Sequence, residues 1–183
     1  VLKEFFDASK FKEGTSVYDV CKAVDEEMER LCGQVENSGI SFPCAISPND
    51  LICHYSPTFT DPLLVLKQGD LVKIELGIHV DNCPAFICHS LVIGSSANDT
   101  QERLLKAAWT AAQATLEALT DKFANIPAEF NVNYTQGLMT HVISRNNLAG
   151  DKGLIYRPTT EQRKVPSGNV EADEVYLIDV VVS

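Results

Sequence analysis

Basic residues and long apolar runs are both scarce in this sequence of 183 residues. Lys and Arg number 15 against 25 Asp and Glu, which gives a net charge of −10. A chain this acidic repels phosphate backbones unless basic residues cluster, and only short groupings such as Arg163-Lys164 occur. No run of about 18 apolar residues is present. Bulk nucleic-acid binding and membrane insertion are therefore not predicted for this chain.

The six cysteines contain no Cys-x-x-Cys pair, which removes the usual signal of a zinc ribbon or a thioredoxin-type redox site. Most of them lie in apolar segments, as is typical of reduced thiols that pack as small buried hydrophobes. Their spacing favours this packing interpretation over zinc binding. The candidate ligands in the zinc alternative are Cys53, His54, Cys83, Cys88 and His89.

Apolar residues recur at helical spacing in two long segments. The spacing predicts one helix over 17–31, closed by Gly33, and another over about 99–123. Residues 2–9 are predicted to be the end of an earlier helix. The predicted buried stripe of the second helix consists of Leu104, Leu105, Ala108, Ala112, Leu116 and Leu119.

A β-hairpin is predicted between the two helices. Over 71–81, apolar residues alternate with a polar set that includes Glu75 and His79, so the two sets point to opposite faces. A turn near Asp81-Asn82 leads into a second strand over 85–93.

The rest of the chain gives weaker patterns. Short strands joined by turns are expected over 40–57, and 131–143 is compatible with a strand running into a helix. Residues 154–157 form a predicted short strand, 159–173 a mobile polar loop, and 175–182 a final strand. This mixture predicts an α+β fold.

Four segments, in the same order as in the family, resemble the methionine aminopeptidase signature. They are 42–49 (FPCAISPN), 52–57 (ICHYSP), 66–75 (LKQGDLVKIE) and 174–179 (EVYLID). Together they imply the pita-bread (creatinase/aminopeptidase-like) fold. We therefore expect one aminopeptidase-like domain over 1–183, truncated at its C-terminus, from the end of the first helix to an internal strand of the second half.

The resemblance also implies where metals would bind. The peptidases hold two divalent ions with two Asp, one His and two Glu, and these ions activate water. Carried over along the motifs, the two Asp positions are Glu75 and Phe86, the His position is Leu138 and the first Glu position is Asp179; the last Glu lies beyond residue 183. If the hairpin turns at Val80-Asp81, Glu75 and Phe86 face each other across the ladder.

Phe86 and Leu138 offer no ligand atom, so the resemblance implies vestigial metal positions, with no catalytic residue and no bound metal or other cofactor. Glu75 and Asp179 remain as two carboxylates; they bind one ion weakly, share a proton, or pair with Lys73. His54 matches the substrate-contacting histidine of the family and is interpreted either as a vestigial pocket residue or as a plain hydrogen-bonded histidine.

These departures are similar to those of the proliferation-associated (ErbB-binding) protein family, non-peptidase relatives of type II methionine aminopeptidase. The resemblance implies a cytoplasmic and nucleolar protein that associates with ribosomes, structured RNA and other proteins and regulates translation and growth. Without the Lys-rich tail of that family, RNA binding is not expected of this acidic chain itself. The alternatives are a metal-dependent methionine aminopeptidase with a rearranged site that uses Glu75, Asp179 and His54, and a fragment with no function of its own.

Overall fold

The computed structural model describes residues 11–94, 96–118, 126–161 and 170–183. The chain divides into two compact units, Val1–Ala97 (unit 1) and Asn98–Ser183 (unit 2). The single domain expected over 1–183 stays a prediction, and the helix predicted over 2–9 lies outside the described residues. In the part of the chain that is described, no helix is long and apolar enough to cross a membrane.

Unit 1 begins with helix α1 (Val17–Cys32), which confirms the predicted helix. The hydroxyl of Ser16 accepts a hydrogen bond from the backbone N–H of Asp19 at 3.4 Å, so it caps the first turn. At the other end, the N–H of Gly33 donates to the carbonyl of Glu29 at 2.9 Å. The N-terminal end of the helix is therefore set by Ser16 and its C-terminal end by Gly33, as predicted for the glycine.

A three-stranded antiparallel sheet follows, in the order β1-β2-β3. Its strands are β1 (Ser38–Pro48), β2 (Leu71–Val80) and β3 (Cys83–Val92). The several short strands expected over 40–57 are wrong, because the structure has one long strand there. Two irregularities in the β1–β2 register, on either side of Phe42, explain why the alternation in this segment is broken.

The apolar face of α1 packs on one face of this sheet. The alternate residues Val72, Ile74 and Leu76 of β2 are buried against it, while the intervening polar residues point to the other face, as predicted. The core of unit 1 consists of Phe11, Val17, Val20, Cys21, Val24, Met28, Cys44, Ile46, Leu66, Val72, Ile74, Leu76 and Ile93.

The β2–β3 turn is formed by Asp81 and Asn82, both of which have positive φ (50° and 61°). Val80 pairs with Cys83, so the loop has two residues, and the predicted turn position is confirmed. This register places Glu75 opposite Cys88 and Gly77 opposite Phe86. The conditional pairing of Glu75 with Phe86 is wrong, because it required a turn one residue earlier; the two side chains are diagonal neighbours on one face.

Unit 2 contains helix α2 (Asp99–Ala118), a short helix α3 (Ile126–Glu129) and a small antiparallel sheet in the order β5-β4-β6. Its strands are β4 (Met139–Ile143), β5 (Gly153–Ile155) and β6 (Val175–Leu177).

Two expectations for unit 2 need correction, and a third is only partly covered by the described residues. No helix forms over 131–143, because β4 pairs along both edges. The final strand predicted over 175–182 ends at Leu177, with only an isolated bridge between Val182 and Tyr134 further on. Of the loop predicted over 159–173, residues 162–169 lie outside the described part of the chain.

The buried stripe of α2 also differs from the prediction. Ala107, Ala111 and Thr115, spaced four residues apart, are fully buried, whereas Leu116 is 65% exposed. Leu104 and Ala108 pack against the core as expected. The small side chains of Ala107, Ala111 and Thr115 allow the helix to pack closely in unit 2, whereas the large side chain of Leu116 is exposed to solvent. Leu119 lies outside the described residues.

Candidate functional site

The polar face of the unit 1 sheet is the candidate site. Glu75 lies near its middle on β2, between Ala45 of β1 and Cys88 of β3. Its side chain is only 16% exposed. A carboxylate this buried needs hydrogen-bond donors, since an unpaired buried charge is strongly unfavourable.

Both oxygens of Glu75 are engaged by one residue, His54. The backbone N–H of His54 donates to Oε2 at 2.6 Å, and Nδ1 of the ring lies 3.0 Å from Oε1. His54 reaches this position with a positive φ of 60°. The contact therefore ties the loop after β1 to the centre of the sheet, and it gives His54 the geometry of a hydrogen-bonded histidine. Its role in a substrate pocket stays a prediction.

Lys73, one predicted partner of Glu75, is engaged elsewhere. Its ammonium donates to the backbone carbonyl of Asn49 at 2.7 Å. Burial lowers the pKa of Lys73, while nearby acidic groups, Asp50 first among them, act in the opposite direction. Lys73 therefore holds the start of the loop that joins β1 to β2, and His54 fixes a later part of the same loop.

Aromatic rings cover the space beside Glu75. The ring of Phe42 meets His54 edge-on at a centroid distance of 5.4 Å, and it meets Phe86 edge-on at 6.1 Å. Phe86 in turn lies over Gly77, since a Cβ built on that glycine would be 2.6 Å from Cδ1 of the phenyl ring. The ring therefore occupies the sheet surface diagonal to Glu75, where its aromatic carbons present no metal-binding atom.

Phe42 and Gly77 are the two residues of this arrangement whose roles the sequence analysis missed. A glycine inside a strand often marks a site where another group approaches the backbone closely, and Gly77 was the available signal. Nothing comparable in the sequence distinguishes Phe42, because its orientation depends on the register irregularity in β1.

The other two predicted positions lie in unit 2. Leu138 is half-buried and follows Gly137, which has a φ of 90° and donates its N–H to the carbonyl of Arg157 at 2.9 Å. Asp179 comes two residues after the end of β6, and its N–H donates to the hydroxyl of Thr140 at 3.0 Å.

Asp179 also lies near a buried aromatic group. The rings of Tyr134 and Tyr156 stack with centroids 4.5 Å apart. Burial raises the pKa of Tyr156, and the charge of Asp179 adds to the increase. Burial likewise raises the pKa of Tyr134 to about 12. Both phenols therefore remain neutral hydrogen-bonding groups at physiological pH.

The residues that the resemblance assigns to the two-metal site do not supply its ligand set. Phe86 and Leu138 supply no donor atom, and the carboxylate of Glu75 already interacts with His54 through both oxygens. Within residues 11–94, 96–118, 126–161 and 170–183, no group of three or more His, Cys, Asp or Glu side chains is arranged to hold a metal ion. The zinc-binding alternative, with Cys53, His54, Cys83, Cys88 and His89 as ligands, is therefore wrong for these described residues.

The cysteines only partly follow the packing interpretation. Cys21, Cys32 and Cys44 are buried, as predicted, and the hydrogen bond of the Cys44 thiol to Cys21, together with burial, raises the pKa of Cys44. Cys83 and Cys88 are exposed, which contradicts the prediction. Cys88 lies opposite Glu75 on the polar face of the sheet, and Cys83 directly follows the turn at the end of the hairpin, so both thiols remain exposed although the segment is apolar.

Similarity to known proteins identifies the family of this chain. Residues 1–129 match metallopeptidase family M24. The chain belongs to metallopeptidase family M24. The match includes Glu75 and Phe86 and ends before Leu138 and Asp179, so the vestigial role of all four positions stays a prediction.

Named relatives of this M24 chain confirm the resemblance to the proliferation-associated family. The "Curved DNA-binding protein" of Schizosaccharomyces pombe is 32% identical, over 93% of this chain and 49% of that protein. "Proliferation-associated protein A" of Dictyostelium discoideum is 29% identical (96% and 50%), and "ERBB-3 BINDING PROTEIN 1" of Solanum tuberosum is 25% identical (96% and 49%). The chain spans about half the length of the curated relatives it matches.

Solved structures confirm the pita-bread fold. A thermophilic Arx1 superposes with a TM-score of 0.85 at 19% identity, covering 99% of this M24 chain and 59% of that one. A methionine aminopeptidase from Thermotoga maritima gives a TM-score of 0.74 at 16% identity, covering 99% and 73%.

Proposed function

We propose that this chain belongs to a non-catalytic M24 protein that acts by binding other macromolecules. The observation that carries the proposal is the ring of Phe86, which lies over Gly77 at a position where the resemblance implies a carboxylate ligand. A site without that carboxylate, and without the histidine replaced by Leu138, has too few donors to hold a pair of divalent ions.

The engagement of Glu75 supports the same proposal. An open catalytic carboxylate would keep lone pairs available for a metal or a substrate, whereas Glu75 is held by the amide and the ring of His54. The contact has a structural role, because it anchors a loop to the sheet. Asp179 is likewise placed by its backbone hydrogen bond to Thr140.

The partners we propose are other proteins and, for the full-length protein, ribosomes or structured RNA, in a role in translation and growth in the cytoplasm and nucleolus. One relative is named for binding ErbB-3 and another for binding curved DNA. The net charge of −10 disfavours nucleic acid as a direct partner of this segment, so protein surfaces are the expected contact here.

A metal-dependent methionine aminopeptidase with a rearranged site is the second candidate. It is favoured by the family itself and by the adjacency of His54 and Glu75, a nitrogen and a carboxylate that are both metal-ligand types. In that case a metal would have to displace the hydrogen bonds between these two residues.

Metal content and peptide hydrolysis, measured together, distinguish the two candidates. The full-length protein is incubated with cobalt, manganese or zinc, desalted and analysed for bound metal, and hydrolysis of a methionyl peptide is followed in parallel. We expect no stoichiometric metal and no turnover, with Glu75→Ala indistinguishable from the parent in both assays. Two ions per chain with turnover that Glu75→Ala abolishes would overturn the non-catalytic proposal.

A further inference from the structure

Two large apolar side chains of unit 1 extend into solvent from the loop that joins β1 to β2. Phe59 is 83% exposed and Leu63 is 75% exposed. A single exposed apolar residue is ordinary on a protein surface, but two large ones within five residues of one loop form a patch of the kind that marks interaction sites.

The loop that carries this patch is held in one conformation by its own hydrogen bonds. Oδ2 of Asp61 accepts from the N–H of Thr58 at 2.6 Å and from its hydroxyl at 2.8 Å, and the N–H of Asp61 donates back to the carbonyl of Thr58 at 3.1 Å. These bonds lower the pKa of Asp61, which therefore stays charged. Pro57 and Pro62 fix φ on either side. A surface ordered before binding loses less entropy when a partner docks.

The loop also forms one wall of a groove along helix α1. At its apolar end the groove is lined by Tyr18, Pro57, Phe59, Pro62, Leu63 and Leu64. It continues from Tyr18 and Pro57 into a wider hollow of about 240 Å³ along the helix, where the charged lining residues are Lys22, Asp25, Glu26 and Glu29.

The charge of the second hollow indicates what can occupy it. Glu26 and Glu29 are exposed, and among the residues that the structure describes only Glu26 has a cation nearby, with the ammonium of Lys22 at 3.8 Å. Asp25 is directed inward, where its carboxylate accepts the N–H of Cys44 at 2.7 Å. The groove therefore has an apolar end and a net anionic end on a chain that is itself acidic, which repels phosphate groups and attracts cationic side chains.

We propose that this groove binds a basic peptide segment of a partner protein. An aliphatic or aromatic side chain of the segment packs against Phe59 and Leu63, and its Lys or Arg side chains pair with Glu26 and Glu29. The inference deepens the proposed function and rests on it, because it names a chemical class of partner for a protein that acts by binding. The groove lies on the α1 side of the sheet and uses none of the vestigial metal positions.

Fluorescence anisotropy with a labelled synthetic peptide that alternates lysine and arginine with leucine tests the proposal. The probe is titrated with the 183-residue chain and with the full-length protein. We expect both to bind it, the same peptide with serine in place of leucine to bind at least about tenfold more weakly, and an acidic peptide with the same leucines not to bind.

Variants of exposed residues locate the binding surface without endangering the fold. Phe59→Ser/Leu63→Ser should weaken binding at least about tenfold, while the control Leu116→Ser, on α2 and 65% exposed, should leave it unchanged. Glu26→Gln/Glu29→Gln should weaken binding and reduce its salt dependence, and the control Glu102→Gln should not.

Several results would overturn the proposal. Equal binding by the Phe59→Ser/Leu63→Ser variant and the parent would place the peptide elsewhere. Binding by the short chain but not by the full-length protein would show that the rest of the protein covers the groove. Concentration-dependent dimerisation lost in the same variant would identify a second copy as the occupant. The metal and hydrolysis assays are independent of these outcomes, so the groove and the non-catalytic function can fail separately.

Discussion

The contact between Phe86 and Gly77 predicts strong coupling between two substitutions. Gly77→Ala places a methyl group 2.6 Å from Cδ1 of Phe86, far inside van der Waals contact. The same methyl would lie 2.9 Å from the hydroxyl of Ser41, which has no hydrogen-bond partner within the described part of the chain and can rotate away. We therefore expect Gly77→Ala alone to destabilise unit 1 by about 1–3 kcal/mol, the usual cost of overpacking.

Removal of the ring should reverse that effect. In a Phe86→Ala background the methyl group meets no ring, and alanine in a strand is favoured over glycine by about 0.5–1 kcal/mol. The loss that Phe86→Ala causes by itself is common to both arms of a double-mutant cycle and cancels. The coupling between the two substitutions, which is the difference between these two effects, should therefore be about 1.5–4 kcal/mol, in the upper part of the range for residues in contact.

Hydrogen exchange of the β2 amides is the appropriate assay, because it reports on unit 1, whereas the single tryptophan, Trp109, lies in unit 2. Gly39→Ala provides the matched control, since its methyl would lie 2.9 Å from Nε2 of His79 and not against Phe86. Phe86→Ala should rescue Gly77→Ala and not Gly39→Ala. Additivity of the Gly77 and Phe86 substitutions within about 0.5 kcal/mol would refute the assigned position of the ring.

Two further predictions concern individual hydrogen-bonded pairs. Glu75→Ala should speed hydrogen exchange of the His54 amide at least about tenfold. Glu75→Gln keeps one acceptor oxygen and should therefore speed this exchange by a smaller factor. Equal exchange rates in both variants and the parent would contradict the assigned contacts. In unit 2, the hydrogen bonds of Lys152 to Glu174 at 2.7 and 2.9 Å lower the pKa of Glu174 from its usual 4.5 and raise that of Lys152 from 10.5. The stabilisation is full between pH 4.5 and 10.5 and is lost as pH falls through the folded pKa of Glu174 or rises through that of Lys152. Thermal unfolding followed by Trp109 fluorescence should therefore show a smaller loss of stability on acidification to about pH 3 in Lys152→Met than in the parent, and an equal loss would count against the pair.

The unit 1 hairpin was largely predictable because alternation fixes the face of each residue. The residues of β2 that pack against α1 are those the period-two pattern indicates. The pairing partner of Glu75 was harder to predict, because it depends on which two residues make the turn. Asp81-Asn82 tolerates the left-handed conformation but marks a turn less sharply than Asn-Gly does, and an error of one residue at the turn moves every cross-strand partner by two.

Helix α2 shows where periodicity alone is insufficient. Its apolar residues outnumber the positions of a single stripe, so the sequence is compatible with more than one buried face. The face that is buried contains Ala107, Ala111 and Thr115, whose small size allows close approach, and Leu116 is left exposed. The segment 131–143 was misassigned for a related reason: β4 is stabilised by pairing with β5 and β6, which are remote in sequence.

The four positions that we propose to be vestigial could be named from motifs, but their surroundings could not. The sequence shows that Phe86 lacks a ligand atom; only the fold shows that its ring lies over Gly77 and meets Phe42. The sequence also left two interpretations of His54 open, and the bonds from its amide and ring to Glu75 depend on a positive φ that the sequence does not announce.

The position of the Phe86 ring restricts the order in which such a surface can change. A side chain at residue 77 disfavours the ring, since even one methyl group would lie 2.6 Å from it, at the overpacking cost of about 1–3 kcal/mol. Single-step paths in which residue 77 is glycine whenever residue 86 is phenylalanine avoid that cost. Glycine at 77 is therefore the permissive state for gaining or losing the ring.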